Sequence, residues 1–136
     1  MRNFKIGVMT DSFRTTFVDA LDKAKELGAQ GVQMYVTEGD MFYKNLTDER
    51  IEQAKRELAD RGLVVSAICG DFGGHGFETE AENEWKIPSS KLVADLAVRF
   101  GAPVVTTHIG VVPEDNTCDT YKILQEACNT LADYAH

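Results

Sequence analysis

A histidine follows a run of β-branched residues near the carboxyl end of the chain. The segment 102–115 reads APVVTTHIGVVPED, so a strand-like run stops at His108 and a turn follows at Gly110 and Pro113. A neutral imidazole nitrogen in such a place can bind a metal ion or a substrate hydroxyl, whereas the alternative is a histidine that merely ends a strand. We take His108 as the candidate catalytic residue. No second histidine or paired carboxylate stands at ligand spacing, so the sequence itself predicts no metal ligands.

Further candidate residues lie in two predicted loops. The stretch 70–85, GDFGGHGFETEAENEW, is the longest irregular segment, and such loops serve either as lids or as plain solvated connections. It lacks the Lys-Ser/Thr pair of a phosphate-binding loop. Trp85 at its end could stack on a ligand ring or anchor the loop to the next helix. Asp11, after the first apolar run, could contact a substrate or cap the turn into the first helix.

Helical patterns alternate with short apolar runs along the whole chain. The helices are predicted over 15–27, from Thr47 to Gly62, from near Pro88 to Gly101, and from about Asp119 to the last residue; the apolar runs are FKIGVMT from 4, GVQMYV from 31, LVVSAIC from 63 and PVVTTHI from 103. The runs show little alternation, which is typical of parallel strands covered on both faces. The pattern therefore predicts an α/β fold made of four βα units.

Two architectures are compatible with four such units. An open, doubly wound sheet could be complete at this length. Half of a closed barrel would instead leave its first and fourth strands with unpaired edges and would expose the side chains meant to fill the barrel centre. Periodicity alone leaves this choice open.

The composition restricts the function classes. With 14 basic residues against 22 acidic ones, a net charge of -8 argues against extended nucleic-acid binding. The apolar runs are too short to cross a membrane, and Asp11 interrupts the region where a signal peptide needs its apolar core, so we expect a cytoplasmic protein. Cys69, Cys118 and Cys128 form neither a disulfide framework nor a zinc-binding pattern.

Four segments in order carry a resemblance that covers essentially the whole chain. They are GVMTDSF, GAQGVQMYV, GLVVSAICGDFGG and FGAPVVTTHIGVVPED. Their order and spacing resemble the N-terminal half of the sugar phosphate isomerase/epimerase family, the xylose isomerase-like TIM barrels. The resemblance implies that 1–136 is a single (βα)4 unit, half of a (β/α)8 barrel, and an incomplete N-terminal fragment of a protein about twice as long.

The resemblance also implies an activity. Relatives of this kind isomerise or epimerise a sugar or sugar phosphate with the help of a divalent metal, here manganese, magnesium, cobalt or zinc. Their metal ligands and proton-transferring glutamates come mostly from strands five to eight, which this chain lacks. The alternatives are a catalytically inactive half barrel that assembles with a second copy and, less favoured, an abasic-site endonuclease-like barrel. We therefore expect either a homodimer or a missing C-terminal half as partner.

Substrate-binding positions follow from the same resemblance. It places Cys69 and Gly70 beside the substrate, with the glycine allowing close approach of the backbone. Gln33 stands where relatives usually have glutamate, which removes a carboxylate but leaves an amide able to bind a sugar hydroxyl. Tyr35 follows two residues later. Together with Asp11 and Trp85 these residues complete the predicted substrate-binding set.

Overall fold

Within residues 4–136, which the computed structural model describes, a sheet of parallel strands forms the centre of the molecule. The strands are β1 (Gly7–Met9), β2 (Gly31–Tyr35), β3 (Val64–Cys69) and β4 (Val105–Thr106), and they lie side by side in sequence order. The first three residues of the predicted 1–136 unit lie outside the described part.

Four α-helices alternate with these strands. They are α1 (Phe17–Glu26), α2 (Asp48–Ala59), α3 (Glu80–Phe100) and α4 (Asp119–Ala135), and short 3-10 turns occupy Thr10–Phe13, Gly39–Met41 and Tyr43–Asn45. Threonine side chains at 16, 47 and 79 accept hydrogen bonds from backbone N–H groups three residues further on, which satisfies donors that a helix start leaves unpaired. No helix in the described range has the length and apolar character that crossing a bilayer requires.

The third helix begins earlier than predicted. The sequence indicated a start near Pro88, but α3 starts at Glu80 and Pro88 lies inside it. The cap at Thr79 determines this start, since its side chain accepts from the N–H of Glu82. Pro88 and Glu84 are both exposed, so water can reach the carbonyl group that the proline leaves unpaired. The prediction that 70–85 is irregular throughout is therefore wrong for residues 80–85.

One face of the sheet packs against the helices and forms the core. Val32, Met34 and Ile68 on this face are fully buried. They belong to a cluster that includes Leu21 of α1 and Val93 of α3. Burial of these apolar side chains is the main stabilising contribution to the fold.

A β-bulge in β3 changes which of its side chains face the helices. Val32 pairs with Val65, but the next residue, Gln33, pairs with Ala67, so Ser66 has no partner of its own. The Ser66 hydroxyl donates to the Val32 carbonyl at 3.0 Å, which closes the gap in the ladder.

The opposite face of the sheet is open. Val64, Val104 and Met9 are 64%, 47% and 41% exposed, although each lies in or beside a strand. A doubly wound sheet would cover both faces and would not keep its strands in sequence order. Consecutive parallel strands with helices on one side are half of a TIM barrel, so the half-barrel alternative is the correct one.

Candidate functional site

Asp11 joins the carboxyl ends of the first two strands. One of its carboxylate oxygens accepts from the Tyr35 backbone N–H at 3.1 Å and from the Thr10 hydroxyl at 3.0 Å. Asp11 does not cap α1. The unpaired N–H groups at the start of this helix donate to other side chains, namely that of Thr16 and, at 3.0 Å from the Phe17 N–H, that of Asp40. We call the carboxyl ends of the four strands the rim of the sheet. Asp11 lies at this rim, where its side chain is exposed and its position is fixed by the hydrogen bond from Tyr35 in β2.

Gln33 and Thr106 connect strands that are not neighbours. The Gln33 amide donates to the Thr106 hydroxyl at 3.2 Å, which spans the open face from β2 to β4. The hydroxyl of Thr10, the residue directly after β1, lies 3.2 Å from the Gln33 carbonyl and shares its one proton between this carbonyl and Asp11. The amide group thus has a structural role here, as a donor to the Thr106 hydroxyl.

Tyr35 and Cys69 lie side by side where β2 and β3 end. They are register partners, and Cys69 is buried. Interaction with the Cys69 side chain, reinforced by burial and by the nearby carboxylates of Asp71 and Asp11, raises the pKa of Tyr35 to about 12. A tyrosine phenol is protonated at neutral pH in any case and can donate a hydrogen bond to a ligand; the raised pKa extends the protonated range to alkaline pH.

Gly70 packs tightly against α3. A Cβ at this position would lie 2.9 Å from a methyl group of Val93, so any side chain would force the Val93 side chain to move. The Gly70 N–H donates to the Thr106 carbonyl at 2.8 Å, and its own carbonyl accepts from the Thr107 hydroxyl at 3.2 Å. Helix packing and the connection to β4 thus explain this glycine without a ligand.

His108 lies two residues beyond β4, in a segment that is held by the preceding glycine-rich loop. Its side chain is exposed. The Phe77 N–H donates to the Ile109 carbonyl at 3.0 Å, and Glu78 accepts from the Val111 N–H at 2.6 Å. Gly76 approaches Gly110 so closely that a Cβ would overlap the backbone. These contacts fix the backbone directly after the histidine.

Lys86 is a buried residue that the sequence patterns did not single out. Only 2% of its surface is exposed, and its ammonium group donates to the carbonyls of Gly73 at 2.9 Å and Gly76 at 2.7 Å. It also forms an ion pair with Glu82 at 3.2 Å. Glycine-rich loops expose carbonyl groups that need hydrogen-bond donors. A lysine that follows such a loop in the sequence, as Lys86 does, was the feature that could have predicted this buried ammonium group. Trp85 beside it lies on α3, and His75 is exposed in the loop.

The described residues do not form a metal site by themselves. Within residues 4–136 no group of three or more histidine, cysteine, aspartate or glutamate side chains is placed to hold a metal ion.

The sequence profile of one protein family matches most of the chain. The xylose isomerase-like TIM barrel family matches residues 21–136. The chain belongs to this family. A search of curated protein sequences finds no match.

Solved structures support the fold of this xylose isomerase-like barrel chain. A xylose isomerase domain protein from Planctomyces limnophilus is 24% identical with a TM-score of 0.78, and the match covers 97% of this chain and 50% of that one. A xylose isomerase-like protein from Mycobacterium smegmatis, solved in complex with magnesium, is 20% identical with a TM-score of 0.71 and coverage of 98% and 52%. An AP endonuclease, family 2, from Brucella melitensis is 17% identical with a TM-score of 0.62 and coverage of 96% and 52%. The chain spans about half the length of these structures.

Replacing Lys86 by methionine should destabilise this xylose isomerase-like half barrel. The variant leaves the carbonyls of Gly73 and Gly76 without their shared donor, and we expect the free energy of unfolding to fall by roughly 2–3 kcal/mol. Urea unfolding followed by circular dichroism measures the effect. Lys91→Met, in the same helix but partly exposed, is the matched control and should cost about 0.5 kcal/mol or less. Equal stability of the two variants would show that the buried ammonium group does not hold the loop.

Tyr35→Phe should change the response to alkaline pH. Because the pKa of Tyr35 is raised to about 12 in the folded chain, the folded state keeps a proton that the unfolded state loses near pH 10. Stability from this residue is therefore present below pH 10 and is lost as pH rises toward 12. We expect Tyr35→Phe to lose less unfolding free energy over this window than the unsubstituted chain. Tyr121→Phe controls for the number of tyrosines, and an equal loss in both variants would contradict the assignment.

Proposed function

We propose that this chain forms half of the substrate-binding mouth of a cytoplasmic sugar or sugar-phosphate isomerase or epimerase. The observation that supports this most is the position of polar side chains at or just beyond the carboxyl ends of all four strands in a xylose isomerase-like barrel chain. Asp11, Tyr35, Cys69 and His108 come from the four successive βα units, one from each. TIM-barrel enzymes build their active sites at this edge.

The residues of this half are suited to binding and orientation. The Tyr35 phenol, protonated at neutral pH, can donate to a substrate hydroxyl or carbonyl oxygen. The Gln33 amide oxygen can accept from a hydroxyl while its NH2 group remains bonded to Thr106. The exposed imidazole of His108 can transfer a proton or bind a hydroxyl in its neutral form.

A divalent metal belongs to the proposal only through a second half of the barrel. The described residues provide no set of metal ligands, so we assign no catalytic step of this chain to a metal ion. Manganese, magnesium, cobalt or zinc would have to be held mainly by residues outside the four strands. The same second half would cover the exposed Val64 and Val104.

Proton transfer to or from the substrate carbon is the reaction to test. We expect a barrel completed by a second half, supplied with one of these metals, to incorporate deuterium from D2O into a ketose or ketose phosphate, detected by mass spectrometry. Gln33→Leu should lower kcat/KM by roughly tenfold because one hydrogen bond to the substrate is lost. Gln53→Leu, on the outer surface of α2, should leave it unchanged. Failure of every tested ketose to exchange would refute the proposed activity.

The exposed sheet face should also drive association of the chain by itself. With no other half available, we expect two copies to cover each other's inner faces and to give a mass of twice 15.1 kDa by light scattering at micromolar concentration. Val64→Asp should shift this species to monomer, because it buries a charge in the shared interior. Val98→Asp, at an outer helix position that is 79% exposed, is the control. A monodisperse monomer of the unsubstituted chain would contradict self-association and leave a separate second half as the partner.

The likeness to an AP endonuclease makes an abasic-site nuclease the second candidate. The net charge of -8 opposes it, since binding to DNA depends largely on lysine and arginine contacts to phosphates. Three carboxylates near the rim oppose it as well, namely those of Asp11, Glu38 and Asp71. Sugar isomerisation therefore remains the better supported proposal.

A further inference from the structure

A cleft beside the strand-end rim is walled by aromatic side chains. It has a volume of about 460 Å3 and opens between the segments that follow β2 and β3. We call it the aromatic cleft, and its aromatic walls are Tyr35, Phe42, Tyr43, Phe72 and Trp85. Its size falls in the range of small-molecule binding pockets.

The rings on the outer side of the cleft form a continuous, fixed wall. Tyr43 contacts Phe42 and Phe72 edge to face at centroid distances of 5.1 and 5.8 Å, and Phe72 contacts Trp85 in the same way at 5.5 Å. The Tyr43 hydroxyl donates to the buried Ser89 hydroxyl at 2.9 Å. A ligand ring would therefore meet a surface that needs no rearrangement, which lowers the entropic cost of binding.

Trp85 is held in place while much of its surface remains open. It is 47% exposed, although Phe72 packs on it and the buried ammonium group of Lys86 lies 5.7 Å from its ring centroid. Lys86 in turn is fixed by the loop carbonyls. A large apolar ring, fixed from beneath and open to solvent, is suited to stacking against another ring.

The charged groups of the cleft favour a neutral polyhydroxylated ligand. Among the described residues, the carboxylates of Glu38 and Asp71 line it together with one cation, Lys44, whose ammonium group lies 5.6 Å from the Tyr43 ring centroid. Carboxylates accept hydrogen bonds from hydroxyl groups. Two negative charges against one positive charge disfavour a phosphate in this space. Aromatic rings beside carboxylates fit the apolar face and the hydroxyl edge of a sugar ring.

The aromatic cleft adjoins the rim. Tyr35 and Glu38 line both the cleft and a smaller cavity of about 110 Å3 that includes Asp11. Tyr35 and Glu38 therefore form the boundary that the two spaces share. The part of a ligand in the smaller space would lie beside Asp11 and Tyr35, two residues of the proposed reaction site.

We propose that the aromatic cleft binds a second, non-reacting sugar ring, so that the substrate is a neutral glycoside with at least two rings. This rests on the proposed function in one respect, namely that the first ring reacts at the rim. The second ring stacks against Trp85 and donates hydroxyl hydrogen bonds to Glu38 and Asp71.

The tryptophan provides a direct readout, because Trp85 is the only one in the sequence. Cellobiose and maltose, titrated into the 136-residue chain, should change its fluorescence in a saturable way for at least one of the two. Glucose, which has one ring, should require a concentration at least roughly tenfold higher. Equal responses to the disaccharides and to glucose, or no response to any of them, would overturn the proposal.

Variants test the stacking contact by calorimetry or saturation-transfer NMR. Trp85→Leu should weaken disaccharide binding by about tenfold, whereas Trp85→Phe should retain most of it because a ring remains. Tyr134→Leu is the matched control, since Tyr134 is 45% exposed and lies on α4 away from the cleft. Unchanged binding by Trp85→Leu would overturn the proposal. If that variant fails to fold, the fluorescence titration of the unsubstituted chain still decides.

The two proposals can fail separately. A completed barrel that exchanges deuterium into monosaccharides, with no disaccharide response at Trp85, would keep the isomerase and remove the second-ring site. A disaccharide that binds at Trp85, with no exchange into any ketose, would keep the site and remove the isomerase.

Discussion

The structure depends on a parallel sheet that only one layer of helices covers. Backbone hydrogen bonds define the four strands, but burial decides their stability, and only the face carrying Val32, Met34 and Ile68 has a partner among the described residues. On the other face, Val64 in β3 and Val104 directly before β4 are exposed. The helices on the covered face hold the carboxyl ends of the strands in place, while the open face leaves the candidate site enclosed on one side only. Binding at this site therefore depends on what covers the open face.

The helical part of the fold could be predicted because its signals are local. Apolar residues at helical spacing are recognised from a few neighbouring positions, and α1, α2 and α4 lie where the sequence indicated. The start of α3 was missed because Pro88 was weighted as a start signal. The cap that determines this start, Thr79, directly follows a glycine-rich segment, and the first turns of the helix therefore looked like a continuation of the loop.

The candidate site was predictable in its placement but not in its internal connections. Asp11 was indicated by its position after the first apolar run, whereas Gln33 and Tyr35 were indicated by the family resemblance; all three lie at or near the carboxyl ends of strands. That Asp11 binds the backbone of Tyr35, and that the Gln33 amide reaches Thr106, depends on register between distant segments. Lys86 was missed for the same reason, since a charged residue on a helix is usually solvated and only the loop above it provides the carbonyls that allow its burial.

The unpaired Ser66 determines, for every later residue in β3, whether its side chain points to the helices or to the open face of the sheet. With it, Ile68 points to the helices and Cys69 stands beside Tyr35. In an unbroken ladder each of these residues would shift by one position, which would turn the isoleucine into the barrel interior and the thiol toward the helices. Because of this single inserted residue, Val64 at the start of β3 faces the barrel interior, and at the end of the strand the thiol of Cys69, rather than the larger side chain of Ile68, lies next to Tyr35.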